Sequence, residues 1–224
     1  MNSLLAIIVP VLNESETLPV LLNQLRPFHE RGAEIIIVDG GSEDNSAMLV
    51  LDTPYRLLVS SRGRASQMNT GARASSADNL LFLHADTQLP AMADVLSISA
   101  LLTHHWGRFD VNITGRSHFL SVVAFMMNWR SRLTGIATGD QAIFMRRSTY
   151  EAAGGFPEQG LMEDIEMSRI LKRLGQPACL REKVSTSGRR WEKSGVWRTI
   201  LLMWRLRFAY WLGANPDSLA ERYR

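Results

Sequence analysis

The sequence holds a single cysteine, Cys179, among 224 residues, so no internal disulfide can brace it. A lone thiol suits a reducing compartment, and cytoplasmic residence is the expectation. No Cys-x-x-Cys pair or His/Cys cluster offers a structural zinc site. No apolar run approaches the roughly 20 residues that span a bilayer. The apolar opening from Met1 to Pro10 lacks a positive flank, is broken by Pro10 and Asn13-Glu14, and precedes no small-residue cleavage pattern. It reads as a buried strand. Linkers rich in Pro, Gly or Ser, internal repeats and low-complexity tracts are also missing, which favours one domain over residues 1–224. Charge of one sign is scarce: Lys+Arg number 25 against 22 Asp+Glu, a net +3.

That small excess is unevenly placed. Residues 181–224 hold ten Lys/Arg against four Asp/Glu, a local charge of +6, which leaves the remainder at −3. A basic end suits the phosphates of a nucleotide or of anionic lipid. No Arg/Lys-rich helix carries base-reading side chains, so nucleic acid is not an expected partner.

The first half alternates strand-like and helix-like segments. Strands are expected at Leu4–Leu12, Glu34–Val38, Arg56–Ser60 and Leu80–Leu83, with helices at Glu16–Phe28, after Ser42 or Asp44 as cap, and at Arg64–Ala74. Apolar strands with few polar positions indicate an α/β protein whose mostly parallel central sheet is flanked by helices. In such sheets ligands bind beyond the carboxyl ends of the strands. Those ends carry Asn13-Glu14, Asp39, Ser60-Ser61-Arg62 and His84-Ala85-Asp86. The second half predicts a strand at Trp106–Thr114, a helix at Phe119–Leu133, a strand at Ala142–Met145, and helices at Glu163–Leu174 and Val196–Leu212.

Each polar segment has a functional reading and a structural one. Asp39 followed by Gly40-Gly41 could accept hydrogen bonds from a nucleoside or simply close a turn. Arg62-Gly63-Arg64 at a helix start could hold an anion or be a solvated turn. His84 and Asp86, two apart at a strand end, could address one divalent cation, or be a packed histidine and a turn cap. Glu163-Asp164 at a helix start could supply a general base or complement the helix dipole. Arg189-Arg190-Trp191 could grip a diphosphate and wall a sugar, or be surface. Phe125, Met126 and Met127 could line an apolar acceptor pocket or pack in the core. The aromatic-basic helix from Val196 could lie in an anionic headgroup region or pack on the domain.

Taken in order, Ile7 to Glu14, Ile37 to Ser46, the Leu83-His84-Ala85-Asp86 box and Glu163-Asp164 resemble family-2 glycosyltransferases. The resemblance runs from Ile7 to about Trp191. In its compactness, and in Arg62–Gly71 and Ser187–Trp191, the chain resembles the short bacterial subgroup described as radical-SAM/selenodomain-associated. The resemblance implies a GT-A fold, with a nucleotide-binding half (1–88), an acceptor and catalytic half (89–191) and a C-terminal aromatic-basic helix (192–224). It implies inverting transfer from a nucleotide-diphospho-sugar, with UDP favoured, to an acceptor hydroxyl that could be lipid-linked. Pro10, Asn13, Glu14, Asp39, Gly41, Arg64, Asn69, Asp86 and Arg190 would serve the donor, and Glu163 and Trp191 the acceptor side. Asp86, with His84 beside it, would hold Mg²⁺ or Mn²⁺, and Asp164 would take the acceptor proton.

Three departures stand out. His84 replaces the first Asp of the DxD motif, Asp39-Gly40 replaces the commoner Asp-Asp pair, and Ser187 occupies the Gln position of QxxRW, which argues against a processive synthase. A non-catalytic nucleotide-sugar binder is the alternative. A sugar nucleotidyltransferase fits less well, because the first strand is followed by acidic, glycine-free Asn13-Glu14-Ser15-Glu16. The C-terminal helix adds an expectation of peripheral contact with an anionic membrane at its inner face. Nothing in the sequence sets the oligomeric state.

Overall fold

The computed structural model describes residues 3–223; the side chains of Arg190 and Ser194 lie outside that description. Strand β1 (Leu5–Val11) is buried at every position, and β2 (Glu34–Asp39) at all but its first. A strand covered on both faces needs an apolar side chain at each position, which is why neither alternates. Strands β3 (Arg56–Val59) and β4 (Asn79–Phe82) complete a parallel set, with β1 pairing β2 on one side and β4 on the other.

Helices α1 (Leu18–Glu30), α2 (Ser46–Leu51) and α3 (Arg64–Ala74) make the crossovers. A Cβ on Gly71 would stand 2.5 Å from Ile8 Cγ2, so α3 rests directly on β1. Packing accounts for this glycine. Helix α2 starts later than Ser42 or Asp44 would place it. Ser42 is spent on Asp39, while Asp44 Oδ1 accepts the Ser46 N–H at 2.9 Å.

The chain continues through β5 (Thr87–Gln88), α4 (Ala93–Ala100), β6 (Trp106–Thr114), α5 (Phe119–Thr134), a 3₁₀ turn (Gly139–Gln141), β7 (Phe144–Arg146), α6 (Arg147–Ala153) and α7 (Glu163–Leu174). Then follow β8 (Ala178–Ser187), α8 (Arg189–Ser194), α9 (Val196–Trp211) and α10 (Pro216–Tyr223). One eight-stranded sheet results, in the order β3-β2-β1-β4-β7-β6-β8-β5. Strand β7 is antiparallel to both neighbours, β6 and β8 are parallel, and β5 runs against β8.

Two differences from the sequence reading have local causes. Ala142 sits at φ 46°, a left-handed conformation no strand contains, so β7 begins two residues after the expected position. Strand β8 escapes the apolar pattern because Arg181-Glu182-Lys183 occupies its exposed middle, where the register with β6 also shifts. Two apolar layers cover the sheet, one including Leu21, Leu25, Phe28 and Phe109, the other Met68, Trp106, Tyr150 and Met167. A third, smaller cluster joins Leu161, Met162 and Ile165 to Leu206 and Leu219, which fastens α9 and α10 near the start of α7.

Candidate active site

Because β1, β2 and β3 are adjacent and parallel, Asn13-Glu14, Asp39 and Ser60–Arg62 emerge on one edge. Asn13 takes φ 54°, which asparagine tolerates. Its N–H donates to Ser42 Oγ at 2.9 Å and its Oδ1 accepts the Glu43 N–H at 2.8 Å. Asp39 Oδ2 accepts the Gly41 and Ser42 N–H groups, each at 3.0 Å, and Oδ1 accepts the Ser42 hydroxyl. Gly41, at φ 84°, makes this tight return possible. Asp39 therefore shapes its own loop, and the residue is only 4% exposed.

Other members of the expected donor set are placed differently. Pro10 lies inside β1, buried and paired with Val38. Asn69 is engaged within the fold. Its Nδ2 donates to the Phe156 carbonyl and its Oδ1 accepts from Phe156 N–H and the Tyr150 hydroxyl, all within 2.9 Å. This buried amide fixes the loop ahead of α7. Gln67 is a residue the sequence reading passed over. Its Nε2 bonds the carbonyls of Val11 and Val38, 2.7 Å each, clamping the ends of β1 and β2.

A second group assembles around the 3₁₀ turn. Met162 adopts φ 67° and turns the chain into α7, whose first turn carries Glu163, Asp164 and Glu166. Asp164 Oδ2 accepts the Gly139 N–H at 2.8 Å and Oδ1 the Ile165 N–H at 2.7 Å. Glu163 is buried, with Arg64 Nη1 3.8 Å from its Oε1. Burial, and then the neighbouring Asp164, push the Glu163 carboxyl above its ordinary pKa, against the pull of Arg64. Arg64 thus answers a carboxylate. Met68, Phe82, His84, Gly139, Phe156, Glu163 and Asp164 share one small cavity.

His84 is committed to a partner that sequence spacing could not reveal. Its Nδ1 lies 3.4 Å from Asp140 Oδ1. A Cβ on Gly139 would fall on His84 Cε1 and Nε2, so only glycine lets the turn cover the ring. The expected sharing of His84 with Asp86 gives way to a His84–Asp140 pair. Burial would raise the Asp140 pKa, but the hydrogen bond and charge of His84, with Arg64 and Arg207, hold it below its usual value.

Asp86 is freer. Among the described residues its Oδ1 accepts only the Thr87 hydroxyl, at 3.3 Å, while its backbone carbonyl accepts the Ser187 N–H at 3.2 Å. The β5–β8 pairing thus draws Ser187–Trp191 beside Asp86, with Ser187 101 positions further along the sequence. Arg189 reaches across to Glu14 and Glu16, at 3.5 and 3.6 Å, so the first and last motifs meet. Trp191 is half-buried against the larger apolar layer, and the Arg190 side chain lies outside the described residues. Among the described residues no group of three or more His, Cys, Asp or Glu is placed to hold a metal ion. Asp86 alone still fits Mg²⁺ or Mn²⁺ where a diphosphate supplies the other oxygens, since Mg²⁺ is commonly held by one or two carboxylates plus substrate phosphates.

A sheet of this order, open at one edge and lined there by carboxylates and arginines, belongs to the nucleotide-diphospho-sugar transferase class of α/β folds, the GT-A fold. The sequence profile of glycosyl transferase family 2 matches residues 6–149, more than half of the chain, and the chain belongs to that family. It is 31% identical over 158 residues to an undecaprenyl-phosphate 4-deoxy-4-formamido-L-arabinose transferase of Yersinia enterocolitica, covering 63% of this chain and 47% of that protein. It is 36% identical over 81 residues to a Staphylococcus aureus poly-beta-1,6-N-acetyl-D-glucosamine synthase, covering 34% of this chain and 20% of the other. The chain spans about half the length, or less, of these curated relatives. Among solved structures, S. aureus TarS 1-349 in complex with UDP-GlcNAc superposes with a TM-score of 0.66 at 17% identity, over 84% of this chain and 58% of that one. A mannosyltransferase from Pyrobaculum calidifontis in complex with GDP-Man and Mn²⁺ gives 0.65 at 20% identity, over 93% and 61%.

Proposed function

We propose that the chain transfers a sugar, with inversion, from a nucleoside-diphosphate sugar to an acceptor hydroxyl. The observation that supports this reading is the cavity that Asp164, at the start of α7, shares with His84, two residues before Asp86 in the β4–β5 turn. That cavity ties the two segments together. Asp164 is oriented by two backbone N–H groups, and each of its oxygens keeps a second lone pair for an acceptor proton. In one displacement the acceptor oxygen bonds to the anomeric carbon, the bond to the diphosphate oxygen breaks, and the proton passes to Asp164. A bound Mg²⁺ or Mn²⁺, held by Asp86 and the donor phosphates, would offset the charge of the departing diphosphate. Glu14 and Asp39 would meet the nucleoside, UDP being the favoured donor; the uridine-containing neighbour supports this choice. Arg190 would face the diphosphate and Trp191 the acceptor side.

Release of nucleoside diphosphate from a panel of UDP- and GDP-sugars, with and without Mn²⁺, tests the reading and separates an enzyme from a binder. Turnover should require the metal, and Asp86→Asn should weaken metal-dependent diphosphate affinity by ~10-fold or more without loss of fold. Equal calorimetric affinity in Asp86→Asn would remove Asp86 from that role.

Two helices favour an acceptor at a membrane surface. In α5, Phe119, Val122, Phe125, Met126, Trp129 and Leu133 are exposed, so Phe125 and Met126 are not core residues. In α9, Trp197, Leu201, Trp204, Phe208 and Trp211 form an exposed stripe at helical spacing. The Phe119 and Trp197 rings meet at 5.6 Å and join the two faces. No helix of the described residues is long and apolar enough to cross a membrane. A continuous aromatic face with Arg198 and Arg205 exposed beside it suits a helix pair lying in the headgroup region. The relative whose name includes undecaprenyl-phosphate supports a lipid-linked acceptor.

A further inference from the structure

The same two helices carry two half-buried arginines that no sequence motif marks, Arg130 on α5 and Arg207 on α9. Among the described residues neither guanidinium has a hydrogen-bond or ion-pair partner. Arg130 Nη2 and Arg207 Nε are both shut off from solvent with that hydrogen-bonding capacity unused. Buried donors in folded proteins are almost always paired, so two unpaired ones on helices that touch through Phe119 and Trp197 call for an explanation. The two charges act on each other. Burial first, and then Arg207, bring the Arg130 pKa down to about 10, with Arg108 adding to the effect and Asp164 opposing it. Asp164 and Asp140 are the acids that feel this pair, Asp164 through Arg130 and Asp140 through Arg207. Among the described residues Asp164 makes no hydrogen bond or ion pair to either arginine, its oxygens accepting the N–H groups of Gly139 and Ile165.

Two neighbouring like charges, partly desolvated and unpaired, destabilise a fold unless a ligand of opposite charge takes them up. Guanidinium forks match the oxygens of phosphate, and they are most effective where water is excluded. We propose that Arg130 and Arg207 form an oxyanion subsite on the acceptor side of Asp164, which recognises a phosphate carried by the acceptor. This deepens the transfer reading, on which the word acceptor rests. Both arginines belong to the two helices that carry the exposed apolar faces, so an acceptor with a phosphate head and an apolar tail suits both features. A free phosphorylated acceptor presents the same head to the same arginines.

The test uses the full chain with its donor site filled by UDP and Mn²⁺, and measures calorimetric binding of inorganic phosphate and of octyl phosphate, with octanol as the neutral control. Arg130→Gln and Arg207→Gln should each weaken binding of the phosphate probes by ~10-fold or more, while UDP affinity stays as in the parent. Tighter binding of octyl phosphate than of phosphate assigns a lipid-linked source; equal binding assigns a free phosphorylated one. A melting readout distinguishes this role from a structural one. Each substitution should leave the apo protein as stable or raise its melting temperature by a few degrees, and should abolish the stabilisation that octyl phosphate gives the parent. Parent-like phosphate affinity in the folded double variant overturns the proposal, as does a lowered apo melting temperature with the phosphate response retained. If no nucleotide sugar is turned over yet phosphate binding still needs both arginines, the subsite stands and the transfer reading falls.

Discussion

Replacing Asp164 by Asn separates chemistry from architecture, because the two demands on this side chain differ in size. The carboxylate now accepts one backbone N–H on each oxygen, from Gly139 and Ile165. Asparagine has one acceptor oxygen, so one of those bonds is lost, at about 1.5–3 kcal/mol for a hydrogen bond to a charged group. Part is recovered, since Glu163 no longer faces the negative neighbour that, after burial, raises its pKa. In a chain of this length 1 kcal/mol shifts the melting temperature by roughly 2–4 °C. The expected fall is therefore no more than about 10 °C. Loss of a general base costs turnover on the order of 10²–10⁴-fold. At about 1.36 kcal/mol per factor of ten, that is roughly 3–5 kcal/mol of barrier, larger than the structural cost. Initial rates of nucleoside diphosphate release at saturating donor, paired with calorimetric donor affinity, should show a collapsed kcat beside a donor affinity within ~2-fold of the parent. A fall of less than tenfold in kcat, or a defect confined to donor binding, would refute the assignment and leave Asp164 as the clamp on the Gly139 turn.

Gly139→Ala should injure the same base without touching it. The added methyl would displace the His84 ring by on the order of 1 Å, at about 1–3 kcal/mol of overpacking. It would also draw the Gly139 N–H away from Asp164, so kcat should fall; a parent-like rate in a folded variant would show the turn to be slack. For the membrane face, sedimentation with anionic phosphatidylglycerol vesicles should carry the protein down at low salt and release it as ionic strength rises. Trp204→Gln with Trp211→Gln should abolish pelleting, and a parent protein that stays in the supernatant under both conditions defeats the reading.

The first half of the chain was legible because its signals are local. Buried parallel strands require unbroken apolar runs, so β1 and β2 show in composition alone, and a carboxylate after such a run lands at the sheet edge whatever follows. Helix α7 was equally plain, since Glu163, Asp164 and Glu166 suit its N-terminus and Gly175 its end. Distant pairings left no such trace. Strand β8 hides its pattern under Arg181-Glu182-Lys183, and with it the approach of Ser187–Trp191 to Asp86. Spacing suggested that His84 would join Asp86; only the fold of Thr138–Ala142 over the ring shows that it answers Asp140. The resemblance assigned Asn69 to the donor, whereas the fold shows it bonded to Phe156 and Tyr150, contacts that no local signal announced. Arg130 and Arg207 are 77 positions apart, each an ordinary arginine on an amphipathic helix. Their meeting is decided by how α5 and α9 pack. Sequence periodicity reports which face of an element is apolar, whereas which charges end up sharing a buried space depends on contacts between elements.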